Sequence, residues 1–322
     1  MMKNLLLLLI LPGFFLAACS PEELPAPKHE QGAALVNDAA MGENYEYQVF
    51  YGLRQNAVIA KNLKTDWDIA FENGDEGFHV ILNSSKFMAA FNTHKAQMQA
   101  ITDTSGFGKG LKYDKSDGDP DSTAIGDWRP EKPVYLIERG TDGNAHPIGF
   151  VKLQINAVDA NGYDISFQSL SGGPEIHARI AKKEGYTYTY FSFDDNGKTV
   201  SVAPPDNEWD LCFTQYTVKI PIPYLVTGVL LNPRQTAAVM DSMISFDKID
   251  LAYAQRKTFS GSEDVIGYDW KTYDFDAGSY TVDANMNYII QTQDGAFYKL
   301  HFIDFYNSQG VKGYPKWEFS QL

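Results

Sequence analysis

Few residues in this 322-residue chain are spaced to do covalent chemistry. Of its six histidines, His29, His79, His94, His146, His177 and His301, no two stand at a spacing that would bring both to one metal ion. His79 and His301 fall in strand-like runs, where a hydrogen-bonded structural imidazole is the ordinary outcome, while His94 follows Asn92-Thr93 and is the best placed to be exposed. Asp114, Asp117, Asp119 and Asp121 crowd one Gly/Pro-containing loop. Asp117, Asp119 and Asp121 are its weak Ca²⁺ candidates, but the spacing is not that of an EF-hand and no bidentate Glu closes it; a solvated acidic loop is the plainer reading. The run Gly106-Phe107-Gly108-Lys109-Gly110 lacks the spacing and the hydroxyl of a phosphate-cradling loop. There is no Gly-x-Ser-x-Gly elbow and no Cys/His constellation for nucleophilic attack. Without a catalytic set, the chain reads as a binding protein rather than an enzyme.

Two carboxylates could be paired on paper, Asp68 and Asp210, and what surrounds them explains them better. Trp67-Asp68-Ile69-Ala70-Phe71 returns as Trp209-Asp210-Leu211-Cys212-Phe213, 142 positions later. Strand alternation would put Trp, the aliphatic residue and Phe on one face, with Asp and Ala70 or Cys212 on the other. The flanks echo as well. Tyr45 to Phe50 matches Tyr186 to Phe191 at offset 141, and Met98 answers Met240. Ile125-Gly126-Asp127-Trp128 answers Ile266-Gly267-Tyr268-Asp269-Trp270; Tyr135-Leu136-Ile137 answers Tyr288-Ile289-Ile290; Asp142-Gly143 answers Asp294-Gly295. Phe167 and Leu170 answer Phe319 and Leu322. So many stations in one order indicate an internal duplication. The two aspartates are then one structural contact made twice, not an acid/base couple.

Bulk properties fit that picture. An apolar content of 44% suffices for two ordinary cores, and 19 Tyr and 20 Phe in short runs bounded by Gly, Asn, Asp and Pro favour a β-rich fold. A net charge of −14 argues against nucleic acid as a partner, since phosphates must be met by Lys and Arg. At the N-terminus Lys3 precedes the apolar run Leu5 to Leu16, too short to span a bilayer and flanked as a signal peptide is. Leu16-Ala17-Ala18-Cys19 resembles the bacterial lipobox, which would make Cys19 the lipidated first residue of the mature chain, with Ser20 compatible with sorting to the outer membrane, on its periplasmic or cell-surface face. Cys212 is then a lone thiol in an exported protein, expected as a small buried filler where the first copy has Ala70.

The elements expected from this reading are an all-β chain of two tandem duplicated domains with one short helix each. Residues 1–18 form the signal peptide, 19–40 a Pro-containing tether, 41–170 the first repeat, 171–185 a linker and 186–322 the second repeat. Strands are expected at Tyr45 to Val49, at Trp67, around His79 to Leu82, and over Val134 to Glu138, Ile148 to Ile155, Tyr163 to Phe167, Phe297 to Phe305 and Lys316 to Phe319. Turns fall at Asp142-Gly143 and Asn161-Gly162. A short helix is expected within Lys86 to Ile101, and its counterpart after Asn232 as N-cap with Pro233 in first position.

The second repeat resembles the HmuY family of haem-binding lipoproteins of Gram-negative bacteria. The resemblance is carried by Tyr190-Phe191-Ser192-Phe193, Trp209-Asp210, Tyr216 to Ile220, Met240-Asp241 and the closing block Tyr288 to Asp304. It covers nearly all of 186–322 and, more weakly, 41–170. The resemblance implies an all-β fold that captures haem for iron acquisition and hands it to a TonB-dependent outer-membrane receptor. The histidines that ligate haem iron in well-known members have no counterpart here: Gln99 to Pro133 and Ser242 to Asn287 hold no His. Relatives that use methionine would leave Met243 as an axial ligand, with Tyr253 and Tyr273 as phenolate alternatives and His94 as an exposed imidazole. The other expectation is a HmuY-like module that has lost haem and grips a protein or glycan partner.

Overall fold

The computed structural model describes residues 34–219 and 221–322. The expected signal peptide, Cys19, His29 and most of the expected tether lie outside them.

Among the described residues, the first copy supplies nine strands. They are β1 (Leu35–Asp38), β2 (Tyr47–Gly52), β3 (Ala57–Leu63), β4 (Ile69–Glu72), β5 (Val80–Leu82), β6 (Ala89–Asn92), β7 (Val134–Glu138), β8 (Phe150–Asp159) and β9 (Gly162–Ser169). The second begins with β10 (Ile176–Ala181), β11 (Tyr188–Ser192), β12 (Lys198–Val200), β13 (Leu211–Lys219), β14 (Pro223–Leu231) and β15 (Ala237–Asp241). It continues through β16 (Lys271–Asp274), β17 (Ser279–Val282), β18 (Asn287–Gln291), β19 (Phe297–Tyr306) and β20 (Lys312–Gln321). One four-residue α-helix falls in each copy among the described residues, α1 (Phe107–Gly110) and α2 (Leu251–Ala254). The β-rich fold with one short helix per copy is as expected.

The copies are tandem in sequence and interleaved in space. One outer sheet runs β1-β20-β19-β18-β15 and the other β10-β9-β8-β7-β6; the two inner sheets run β14-β13-β2-β3 and β12-β11-β4-β5. Each copy thus lends its first three strands to the other: β1 pairs with β20 and β2 with β13, while β10 pairs with β9 and β11 with β4. Two sandwiches result, each with one outer and one inner sheet. One core gathers Val49, Tyr51, Phe213, Trp270, Phe302 and Trp317, the other Phe71, Trp128, Tyr163, Ile165, Phe167 and Phe191. Trp128 and Trp270, the matched pair, are sealed one in each. A third cluster lies where the inner sheets meet back to back, and it holds Trp67 and Trp209 together with Phe50, Ala70, Tyr188 and Cys212.

Several expectations need correction. The strands begin at Ile69 and Leu211, after the tryptophans, so Ile69 and Phe71 face one sandwich core while Trp67 joins Ala70 in the seam behind it. The opening strands correspond at offset 140, not 141. Phe50 sits opposite Cys212 and Tyr190 opposite Ala70, and since Cys212 and Ala70 match, so do Phe50 and Tyr190. Met98 does not answer Met240. It opens a 3₁₀ turn, Met98–Ala100, whose twin is Phe246–Lys248, whereas Met240 is half-exposed on β15.

The helix expected over Lys86 to Ile101 is instead two 3₁₀ turns flanking β6, and its expected counterpart is β15, because Ala90 and Ala238 are needed in the sheets opposite Ile137 and Ile290. Asn232 is no N-cap: its amide donates to the carbonyls of Trp209 and Asp206, as Asn83 donates to those of Trp67 and Lys64. The end of the tether and the linker supply β1 and β10, which seal sheet edges that would otherwise stand open.

Candidate binding clefts and the residues around them

Asp68 is the polar knot of the first half. Wholly buried, it ion-pairs with Lys86 and takes a two-pronged contact from Arg139, whose Nε and Nη2 lie 3.1 and 2.8 Å from its oxygens. It also accepts the backbone N–H of Phe193 at 2.7 Å. Burial alone would raise its pKa, but Lys86 and Arg139 outweigh that and hold the carboxyl below its ordinary value. Arg139 leads from β7 into the hairpin of Asp142-Gly143; its Nη2 also reaches Asp194 at 2.8 Å, and its Nη1 makes no hydrogen bond among the described residues.

Two clefts adjoin at Arg139 and Ile148. The first, about 570 Å³, is walled by Ile148, Phe150, Phe167, Leu170, Ile176 and Phe193. Gly172 and Gly173, in the loop on its rim, hold φ of +112° and +106°, which favours glycine. The second, about 910 Å³, is polar and open, with Asp66, Asp142, Asp194 and Asp195 facing Lys86, Arg139 and Lys198. Both are of a size that takes a small organic ligand, roughly 300–1,000 Å³. Among the described residues, neither is lined by a His, Met, Tyr or Cys. His146 belongs to the hairpin that borders them, 3.4 Å from Asp142 and well exposed; His177 follows Ile176 on the opposite face of β10 and meets Ser166 at 2.8 Å.

The ligand candidates read from the sequence stand elsewhere. Met243 is 89% exposed, and its N–H is held by Asp241. Tyr253, on α2, gives its hydroxyl proton to the same Asp241 at 2.8 Å and accepts from Lys257, so Met243 and Tyr253 share one polar anchor. Tyr273 lies on the separate two-stranded sheet of β16 and β17, edge-on to Phe275 and Tyr280. His94, in the first copy, is exposed at positive φ with Glu131 at 3.4 Å. Only Met243 and Tyr253 are brought together, and none of the four lines either cleft. In the acidic loop Asp119 accepts the backbone N–H of Asp121 and the hydroxyl of Ser122, and among the described residues no group of three His, Cys, Asp or Glu converges as a metal site. His79 contacts Glu72 at 2.5 Å and His301 contacts Glu318 at 2.9 Å, both structural partnerships.

Arg139 and Lys86 were not legible as cleft residues in the sequence. The register makes Thr292 the counterpart of Arg139, so duplication pointed away from it. The available signal was the unmatched charge at the end of a matched strand.

The HmuY protein family model matches this sequence over residues 44–172 and 234–319, two-thirds of the chain. The chain belongs to the HmuY family. As a HmuY-family member it is a binding protein, and the two matched segments fall one in each copy. Among solved structures it is similar to apo PinO from Porphyromonas gingivitis, at 9% identity and a TM-score of 0.36, covering 91% of this chain and 98% of that one. It is also similar to the apo HmuY analog (TFO) of Tannerella forsythia, at 8% identity and a TM-score of 0.34, covering 91% and 97%. No curated protein matches the sequence.

Proposed function

We propose that this HmuY-family chain is a lipoprotein, anchored through Cys19 in the outer membrane, that captures haem without chemical change and passes it to a TonB-dependent receptor. The macrocycle would lie in the cleft beneath Phe150, Phe167 and Phe193, with Nη1 of Arg139 open to a carboxylate of the ligand. The observation that carries this reading is the cleft itself: about 570 Å³, with Phe150, Phe167 and Phe193 in its wall and one cation at its edge. Because its walls offer no axial donor, the cargo would be held by burial of its faces and by charge rather than through iron. This departs from the Met243, Tyr253, Tyr273 or His94 ligation that the family resemblance suggested.

The test is titration of the mature chain with haemin, followed at the Soret band. Saturable binding is expected, weakened at least tenfold by Ile148→Glu and unchanged by Met243→Ala, Tyr253→Phe, Tyr273→Phe and His94→Ala. A Soret shift that vanishes in any of these four variants would place the cargo elsewhere, and no saturable change would remove haem. A second reading, a protein- or glycan-gripping module, is favoured by Ile222, Met243 and Phe275, apolar side chains left 69%, 89% and 86% exposed in the second copy. A pulldown of outer-membrane receptors that succeeds without haem would support it.

A further inference from the structure

The seam between the two inner sheets is not fully packed. A cavity of about 100 Å³ lies there, lined by Phe50, Trp67, Tyr188, Tyr190, Trp209 and, among others, Glu263. It is far too small for a macrocycle and distinct from the Arg139 cleft.

Its walls are a duplicated arrangement in which one polar contact has been lost. Tyr190 meets Trp67 edge-on at 4.9 Å, and its counterpart Phe50 meets Trp209 edge-on at the same distance. Trp67 donates its indole N–H to Gln48 at 2.9 Å. At the offset of 140 the counterpart of Gln48 is Tyr188, a ring where the first copy has an amide. The Trp209 indole N–H is consequently buried with no acceptor among the described residues. Buried donors of this kind are rare in folded proteins and point to a missing partner. A second polar group in the wall, Glu263, is partly exposed and carries the charge. Glu263 is fixed by its backbone, its N–H donating to Asp117 at 2.9 Å and its carbonyl accepting from Leu231 at 2.8 Å, yet its carboxylate has no hydrogen-bond partner among the described residues.

We propose that this cavity is a site for a small organic ammonium ion, caged by Trp67, Trp209, Tyr188, Tyr190 and Phe50 and neutralised by Glu263. Indole and phenol faces attract cations, most strongly where water is excluded, and rings around a single charge are the usual receptor for a quaternary ammonium group. A hydroxyl or carboxylate on the ligand would accept from Trp209. The charges around Glu263 are mostly acidic, Asp114, Asp117 and Asp264; of the basic groups, Arg234 is already bound to Glu72 at 2.6 Å and Lys115 lines the adjoining pocket with Glu263. Tyr188, Tyr190 and Cys212, the other titratable groups of the wall, stay neutral because burial raises all three. Desolvation also raises Glu263, to about 8, so the carboxyl must release its proton as a cation enters. Affinity should therefore rise from pH 6.5 to pH 8.5.

The experiment is titration of the mature full-length chain with choline and with its uncharged isostere 3,3-dimethyl-1-butanol, read by intrinsic tryptophan fluorescence and calorimetry. Choline should saturate, the isostere should bind at least tenfold more weakly, and Glu263→Gln should weaken choline at least tenfold with an unchanged circular dichroism spectrum. No saturable response to choline would overturn the proposal. So would equal affinity for the isostere, which would mark a plain apolar void, or undiminished binding by Glu263→Gln. The comparison of the two probes on the unaltered protein stands whether or not the variant folds, and neither probe addresses the haem cleft.

Discussion

Asp68 and Asp210 hold the same place in the two copies and differ in charge balance. Asp68 accepts the N–H of Phe193 at 2.7 Å and Asp210 that of Leu53 at 2.8 Å, contacts related by the same offset of 140. Around Asp68 stand Lys86 and Arg139; around Asp210 no cation is paired among the described residues, and burial pushes its carboxyl up to about 6.

The two aspartates should therefore respond oppositely to the same substitution. Asp68→Asn strands Lys86 inside the protein and is expected to cost about 3–5 kcal/mol. Asp210→Asn keeps an acceptor for Leu53 and removes a buried charge. At pH 8 it should stabilise by on the order of 2 kcal/mol, a gain that disappears as pH falls below the ordinary carboxylate range, where the unaltered Asp210 is protonated in both states. Urea denaturation of both variants at pH 8 and pH 3 checks this.

Glu72 joins the copies by taking Arg234 at 2.6 Å. Burial would raise its pKa, but hydrogen bonds from His79 and Arg234 bring it to about 2, below its ordinary 4.5. The depressed value means that its stabilisation is complete above about pH 4.5 and lost as pH falls toward 2. Arg234→Gln should lower stability at pH 7 by about 1–2 kcal/mol and flatten the acid limb between pH 4.5 and pH 2. Thermal midpoints across that window would show it.

Interleaving predicts that neither copy folds alone. Residues 34–172 contain β2 and β4, whose neighbours β13 and β11 come from the other copy. Expressed separately, this fragment should show no cooperative unfolding as a monomer, and mixing it with residues 173–322 should restore the transition. A monomeric fragment with native-like dispersion in NMR would contradict the strand exchange.

How much of this the chain discloses depends on the kind of contact. Matched strands such as Val134–Glu138 and the turn at Asp142-Gly143 follow from alternation and turn chemistry, both local. Strand exchange is not local. An opening strand centred on Phe50 reads the same whether it pairs with its own copy or the other, and only the register opposite Cys212 decides. The helix expectation failed at Ala237 to Met240 because sheet pairing with Tyr288 to Gln291 overrides weak helical propensity. Arg139 was missed because a charge that the second copy lacks cannot be found by looking for repeats.

The central claim is that the cargo is held by the cleft walls and not through iron. Parallel titration of the mature chain with haemin and with iron-free protoporphyrin IX tests it most directly. Dissociation constants within about threefold of each other, both weakened by Ile148→Glu, are the predicted result. Haemin binding at least a hundredfold tighter than the iron-free macrocycle would contradict it and return the search to an axial ligand.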